Sequence, residues 1–443
     1  MNLLSAPAAD TLCVAPPDDS WTLLYPASHP GGPLSFRLGT DELLRDCGCR
    51  VDDLADAAGI ATEARCRRRG VTALVTQAGY YPFGRQISFR ANTFHGARHL
   101  RRVVDVRWPG GAVVRRQFDL DSLRLPGPWA RLLVLPSGPP AAGTPAPAWQ
   151  PLPAAAGTGE VRLALWPRPP LALVFERPDG TRLEIGTGVD LWRWEAALGA
   201  GAGTGRFALF QDAGGLRLER VPLAPAAEFA PAGRDYRFSW YAAWQTAAEA
   251  AVPPPPIPAG LERLRFRDNG DAVLPGTPAP GRRRRPAKKP AAPPPPPCYL
   301  VDFTAMPGLP AEAHHAPSPA AYCRGERGPG LCWESGVVQK HARRLIRQLA
   351  GRGGTAGTLV FRGLDPAPCW DPAHVDRQNP NGLAHWDITG ILDFAEWTRQ
   401  TLGPAWTLAA EPAAGAPPRP VLAGLFAPPA FTAVPLASEP EPS

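Results

Sequence analysis

Leu171-Ala-Leu-Val-Phe-Glu-Arg-Pro-Asp-Gly-Thr-Arg-Leu-Glu-Ile185 decides how the first half of this chain folds. Pro178-Asp-Gly180 makes a short loop, with Gly180 supplying the left-handed conformation that other residues resist. Turning the chain there sets Phe175 opposite Leu183 and Leu173 opposite Ile185, while Glu176 meets Arg182 on the other side. One face is apolar and the other charged, which predicts a hairpin in an antiparallel sheet.

Outward from this hairpin the pattern recurs. Phe207 to Glu219 has the same look, and Trp108-Pro-Gly-Gly-Ala112 makes a third corner. Runs at 21–25, 33–37, 71–76, 86–90, 100–108, 112–118, 130–135, 161–166 and 235–244, punctuated by Pro or Gly, read as further strands. Asp41–Arg45 and Val51–Ala58 start with acids or soon reach them and space their apolar positions three to four apart, which predicts two short helices laid over the sheet. So many short strands with almost no crossover helices predict an N-terminal all-β antiparallel sandwich over residues 18–250, after a loose tail at 1–17.

Residues 251–297 read as a Pro/Arg-rich linker, because proline fixes φ and removes backbone donors, so its tracts prefer an extended, solvated path. One island, Leu261-Glu-Arg-Leu-Arg-Phe-Arg267, alternates as an edge strand docked on a neighbour would, before Asp268-Asn-Gly270 turns the chain. The basic run Arg282, Arg283, Arg284, Arg285, Lys288 and Lys289 accounts for all but one of the net charge of +7, which leaves the folded parts near neutral. Clustered cations on flexible backbone suit a nucleic-acid contact or a nuclear address, while the plainer reading is a solubilising spacer.

Beyond the linker the periodicity changes. Cys298–Phe303 reads as a strand, Glu334–Leu349 as an amphipathic helix, Thr358–Phe361 as a strand, Ile388–Leu402 as a helix and Val421–Phe426 as a last strand. This predicts a smaller C-terminal α/β domain over 298–426, followed by a disordered tail at 427–443.

Two groups of residues are candidates for function. Trp192, Trp194, Trp240, Tyr241 and Trp244 cluster aromatic rings beside polar groups in the sandwich, the combination that grips sugars, although alternation along a strand also buries one face. In the α/β domain a loop gathers Asp365, Asp371, His374, Asp376, His385 and Asp387 just after a strand, where α/β folds collect ligand groups. Acids and imidazoles so placed can bind a divalent cation or serve hydrolysis, while the plainer reading is that the aspartates cap turns. His95 and His99 would share a face only on a helix, which Gly96 argues against. The eight cysteines, at 13, 47, 49, 66, 298, 323, 332 and 369, match no zinc ribbon, redox pair or disulfide scaffold, so the sequence assigns no metal and identifies no cofactor.

Three functions compete: a ligand- or partner-binding sandwich with a glycan as the leading ligand, a hydrolase working through the Asp/His loop, and a regulatory or structural protein meeting nucleic acid through the linker. No apolar run approaches the ~20 residues of a membrane span. The start lacks the basic head and apolar middle of a secretory signal, so the expected location is the cytoplasm, or the nucleus in a eukaryotic or viral setting.

Overall fold

A computed structural model describes residues 11–411 except 17–19, 28–34, 52–53, 56–59, 70–71, 82–86, 97, 108–117, 136–146, 155–158, 167–169, 188–205, 222–234, 252–260, 267–271, 274–296, 307, 318–320, 322, 329, 352–355, 370, 375–384 and 387. The strands of the first half are β1 (Thr11–Val14), β2 (Trp21–Pro26), β3 (Ser35–Leu38), β4 (Asp41–Val51), β5 (Leu54–Ala55), β6 (Ile60–Arg69), β7 (Thr72–Tyr81), β8 (Ile87–His95) and β9 (His99–Arg107). They continue as β10 (Phe118–Pro126), β11 (Arg131–Leu135), β12 (Gln150–Pro151), β13 (Val161–Trp166), β14 (Ala172–Glu176), β15 (Arg182–Thr187), β16 (Arg206–Asp212), β17 (Gly215–Val221) and β18 (Asp235–Gln245).

These strands form two nine-stranded sheets. The first runs β1-β2-β3-β4-β10-β17-β16-β13 with β5 on β4, and the second runs β12-β11-β14-β15-β18-β9-β8-β7-β6. The hairpin from which the fold was read is β14–β15, with Phe175 paired to Leu183, Leu173 to Ile185 and Glu176 to Arg182, and Gly180 at φ +94°. Alternation carries Leu173, Phe175, Leu183, Ile185, Trp240, Ala242 and Trp244 into one core with Trp21, Leu23, Tyr25 and Phe36 of the facing sheet.

Two expectations for this half are corrected. Asp41–Val51 is strand β4, not a helix, and Leu54–Ala55 pairs on it as β5. The consecutive Leu43 and Leu44 are both buried, and the acid expected to open a helix is taken up sideways: Glu42 accepts a 2.6 Å hydrogen bond from Ser35 on the neighbouring strand. Pairing with β3 on one edge and β10 on the other overrides the local helical spacing. Thr11–Val14, read as part of a loose tail, is β1, held antiparallel to β2 with Val14 buried.

The second half holds α1 (Ala247–Ala251), β19 (Glu262–Arg263), β20 (Arg265–Phe266), β21 (Ala272–Val273), β22 (Cys298–Asp302), α2 (Gly336–Ala350), β23 (Gly357–Arg362), β24 (Pro368–Cys369), β25 (His385–Trp386), α3 (Ile388–Leu402) and β26 (Trp406–Glu411). A parallel sheet runs β19-β22-β23-β26. The Leu261–Arg267 island is thus an edge strand, β19, followed by the small β20–β21 hairpin. The strand read at 421–426 lies outside the described residues, and Trp406–Glu411 supplies the fourth strand of the sheet.

The α/β part does not stand apart from the sandwich. One apolar cluster joins the outward-facing Leu133, Leu135, Ala172, Val174, Tyr241 and Ala243 of the second sheet to Val338, Leu345, Ile391, Leu392 and Phe394 of the helices and to Val301, Phe361 and Leu408 of the parallel sheet. This is why β14 is buried along its whole length: Leu173 and Phe175 serve one core, and Ala172 and Val174 the other. Polar clamps close the same seam, with Arg101 donating to Glu334 at 3.0 Å and His99 Nε2 2.7 Å from Asp393 on α3. Among the described residues no helix is long and apolar enough to cross a membrane.

Candidate functional site

The sandwich opens at one margin. There β13, the last strand of the first sheet, and β11–β12, at the end of the second, border a cleft of about 410 Å³ lined by Leu132, Val134, Gln150, Leu152, Leu163 and Trp166 among others. The pairing of β13 with β16 shifts register between Arg162 and Ala164, a bulge of the kind that re-aims side chains on edge strands. Leu163, Ala164 and Trp166 consequently all reach the cleft wall, while Val161 and Leu165 are left 55% and 42% exposed on the outside. Opposite, Pro151 limits β12 to two residues, and Gln150 stands exposed at the mouth. Gln211 Nε2, at the rim, donates to the Pro153 carbonyl.

The aromatic residues singled out from the sequence sit elsewhere. Trp240 and Trp244 are buried between the sheets, Trp244 lying edge-on to Trp21 at 5.5 Å and against Phe36 at 4.6 Å. Tyr241 points the other way, into the seam with the helices, and donates its hydroxyl to the buried Glu184 at 2.7 Å. These three rings are core. Trp192 and Trp194 lie outside the described residues, as does the basic run Arg282–Lys289.

Of the loop residues, Asp371 and His374 come together and Asp365 is half-buried. Asp376 and Asp387 lie outside the described residues, and for His385 only the backbone pairing with Cys369 in the β24–β25 ladder is described. Asp371 starts a 3₁₀ turn over Pro372–His374 by accepting the Ala373 N–H at 2.9 Å, and its other oxygen pairs with Arg327 at 2.8 Å. The turn swings His374 inward until its Nδ1 lies 3.3 Å from Cys369 Sγ, while Nε2 meets the Glu312 carbonyl. Burial alone would depress the His374 pKa, but the Cys369 thiol and the Asp371 carboxylate outweigh it and raise it. Cys332 joins them: its sulfur, that of Cys369 and a ring nitrogen of His374 all lie within 4.8 Å of one another. All three side chains are buried, so a substrate has no direct approach to them as they stand.

His95 and His99 end and begin the strands of one hairpin and face opposite sides of the second sheet. His95 turns into the sandwich, where Nε2 is 2.8 Å from the Tyr25 hydroxyl, and burial drives its pKa down to about 3. His99 turns outward to α3, with Nε2 2.7 Å from Asp393 and Nδ1 2.7 Å from Glu396. Burial would lower it too, but the two carboxylates raise it to about 10.

No family model matches the chain, and no curated protein does. Among solved structures it is similar to the galactosidase domain of an alpha-galactosidase-sucrose kinase, with 8% identity over 96% of this chain and 74% of that one and a TM-score of 0.37. It is also similar to a putative aldose 1-epimerase from Escherichia coli K12, with 14% identity over 51% of this chain and 96% of the other and a TM-score of 0.32. A galactose mutarotase-like protein from Clostridium acetobutylicum gives 7% identity over 53% and 95% and a TM-score of 0.33. Likenesses this slight transfer no activity.

Proposed function

We propose that this protein is a binding protein whose sandwich takes a glycan in the cleft between β13 and β11–β12. The observation that supports it is Trp166, half-buried in the cleft wall, with the exposed amide of Gln150 at the mouth. An indole offers a flat apolar surface to the C–H face of a pyranose, and a carboxamide both donates and accepts at the hydroxyls around the ring. The volume of about 410 Å³ lies in the range of small-molecule sites, and the apolar walls with few polar groups follow their usual pattern.

The full-length chain, screened against an immobilised glycan library, should bind a subset of glycans. Trp166→Ala should then weaken the best of them by about tenfold or more, the loss of one stacking contact. Gln150→Ala should change which glycans are preferred. A silent library, or glycan binding indifferent to Trp166→Ala, would sink the reading. If the chain instead captured an extended peptide, with protection from hydrogen exchange along β13, the exposed Val161 and Leu165 would make that edge a protein-docking strand.

A further inference from the structure

We propose that Cys332, Cys369 and His374 hold a metal ion, and that the ion is zinc. Three segments supply the donors: the chain just before α2, the strand β24 and the 3₁₀ turn after it. Their donor atoms all fall within 4.8 Å of one another, and Cys369 Sγ is 3.3 Å from His374 Nδ1. Zinc with sulfur at ~2.3 Å and nitrogen at ~2.0 Å in tetrahedral array sets its ligands roughly 3.5–3.8 Å apart, so Cys369 and His374 already stand within a few tenths of an ångström of that spacing, and Cys332 has to close by at most about 1 Å.

The imidazole is already oriented as a ligand. Its Nε2–H donates to the Glu312 carbonyl, which fixes the tautomer and leaves the Nδ1 lone pair facing the sulfurs, the outer-shell arrangement common to metal-binding histidines. Glu312 lies in a second 3₁₀ turn, Ala311–Ala313, which also anchors the second ligand, since the Cys332 N–H donates to the Ala313 carbonyl at 2.9 Å. Neither cysteine is in a disulfide. Two thiolates and a neutral imidazole match a borderline-soft cation and offer no oxygen to calcium or magnesium. Their two negative charges also balance a divalent ion, so the filled site is neutral where an uncompensated charge would be costly. On binding, each thiol gives up its proton to solvent. The ion ties the loop that follows β23 to the start of α2, independently of the glycan cleft.

The test uses the full-length chain, expressed with zinc and purified without chelator or oxidant. Elemental analysis should find about one zinc per chain. Exchange for cobalt(II) should give thiolate-to-cobalt charge-transfer absorption and the strong visible bands of a tetrahedral ion. Chelation should lower the melting temperature of the wild-type chain, and added zinc should restore it, a readout that needs no variant to fold. Cys332→Ser and Cys369→Ser should lose metal and charge-transfer intensity, whereas Cys323→Ser, at an exposed position, should keep both. A folded wild-type chain with no bound metal and no cobalt band would overturn the proposal. So would a Cys332–Cys369 disulfide in that preparation, or full metal retention by the double variant Cys332→Ser/Cys369→Ser.

Discussion

His95 and His99 show how far position outweighs residue type. Both are buried imidazoles at the same hairpin, yet one is held neutral and the other charged, because burial keeps the proton off His95 whereas two carboxylates beside His99 outweigh it. The fold value of His99, about 10, stands above its ordinary 6.5, so its stabilising contribution is complete below pH 6.5 and is lost as pH rises toward 10. Across that window one proton separates the folded from the unfolded chain, which makes the slope about −1.4 kcal/mol per pH unit. Burial tends to raise the Asp393 pKa, but the hydrogen bond and charge of His99 hold it below its ordinary value, so its share is present above pH 3.8 and lost as pH falls through the folded value. Urea unfolding of wild type and His99→Gln from pH 6.5 to 10 should show the wild-type excess shrinking with that slope; parallel curves would contradict the assignment. At pH 7 the variant should be less stable by roughly 3–5 kcal/mol, because the buried charge pair of His99 and Glu396 is broken. His95 acts in reverse: lowered to about 3, it stays neutral in the fold while the unfolded chain takes up a proton below pH 6.5, so it costs stability as pH falls.

Between elements, the turn joining β8 to β9 packs closely against α3. A Cβ at Gly96 would stand 2.2 Å from Glu396 Oε2 and 2.6 Å from His99 Cε1, so the turn reaches the helix only because that position has no side chain. Gly96→Ala should therefore push the helix and hairpin apart and cost about 1–3 kcal/mol, seen as a lower denaturation midpoint together with a His99 pKa shifted back toward 6.5 by NMR titration. A lower midpoint with the His99 pKa unmoved would place the strain elsewhere. The same joint explains what could be read from the sequence. The β14–β15 and β16–β17 hairpins, α2 and α3 were legible because their turns and periodicity are local. Asp41–Val51 was not, since its helical spacing is overruled by two flanking strands that only the fold brings alongside. The cleft was hidden for a related reason: its walls come from the edges of different sheets and from a bulge that breaks the alternation at Arg162–Ala164. Asp371 and His374 are three residues apart, but Cys332 reaches them only through the Ala311–Ala313 turn, to which both Cys332 and His374 hydrogen-bond.

At the scale of the whole molecule, the seam between the sandwich and the α/β part sets how the protein unfolds. Tyr241, Ala243, Leu133, Leu135 and Val174 give the second sheet a second apolar face, which an isolated sandwich would present to water. A contiguous apolar surface of that kind drives association, and Glu184 beneath it would lose the dry setting of its Tyr241 hydrogen bond. Residues 11–251 expressed alone should accordingly aggregate or bind a hydrophobic dye, and the intact chain should melt in one calorimetric transition whose midpoint is the same by far-UV circular dichroism and by tryptophan fluorescence. Two separated transitions, or a soluble and monomeric fragment with a cooperative melt, would mean that the seam is a contact between self-sufficient units. The expected single transition follows from β14 itself, because a strand whose alternate residues serve two cores cannot leave one of them without disturbing the other.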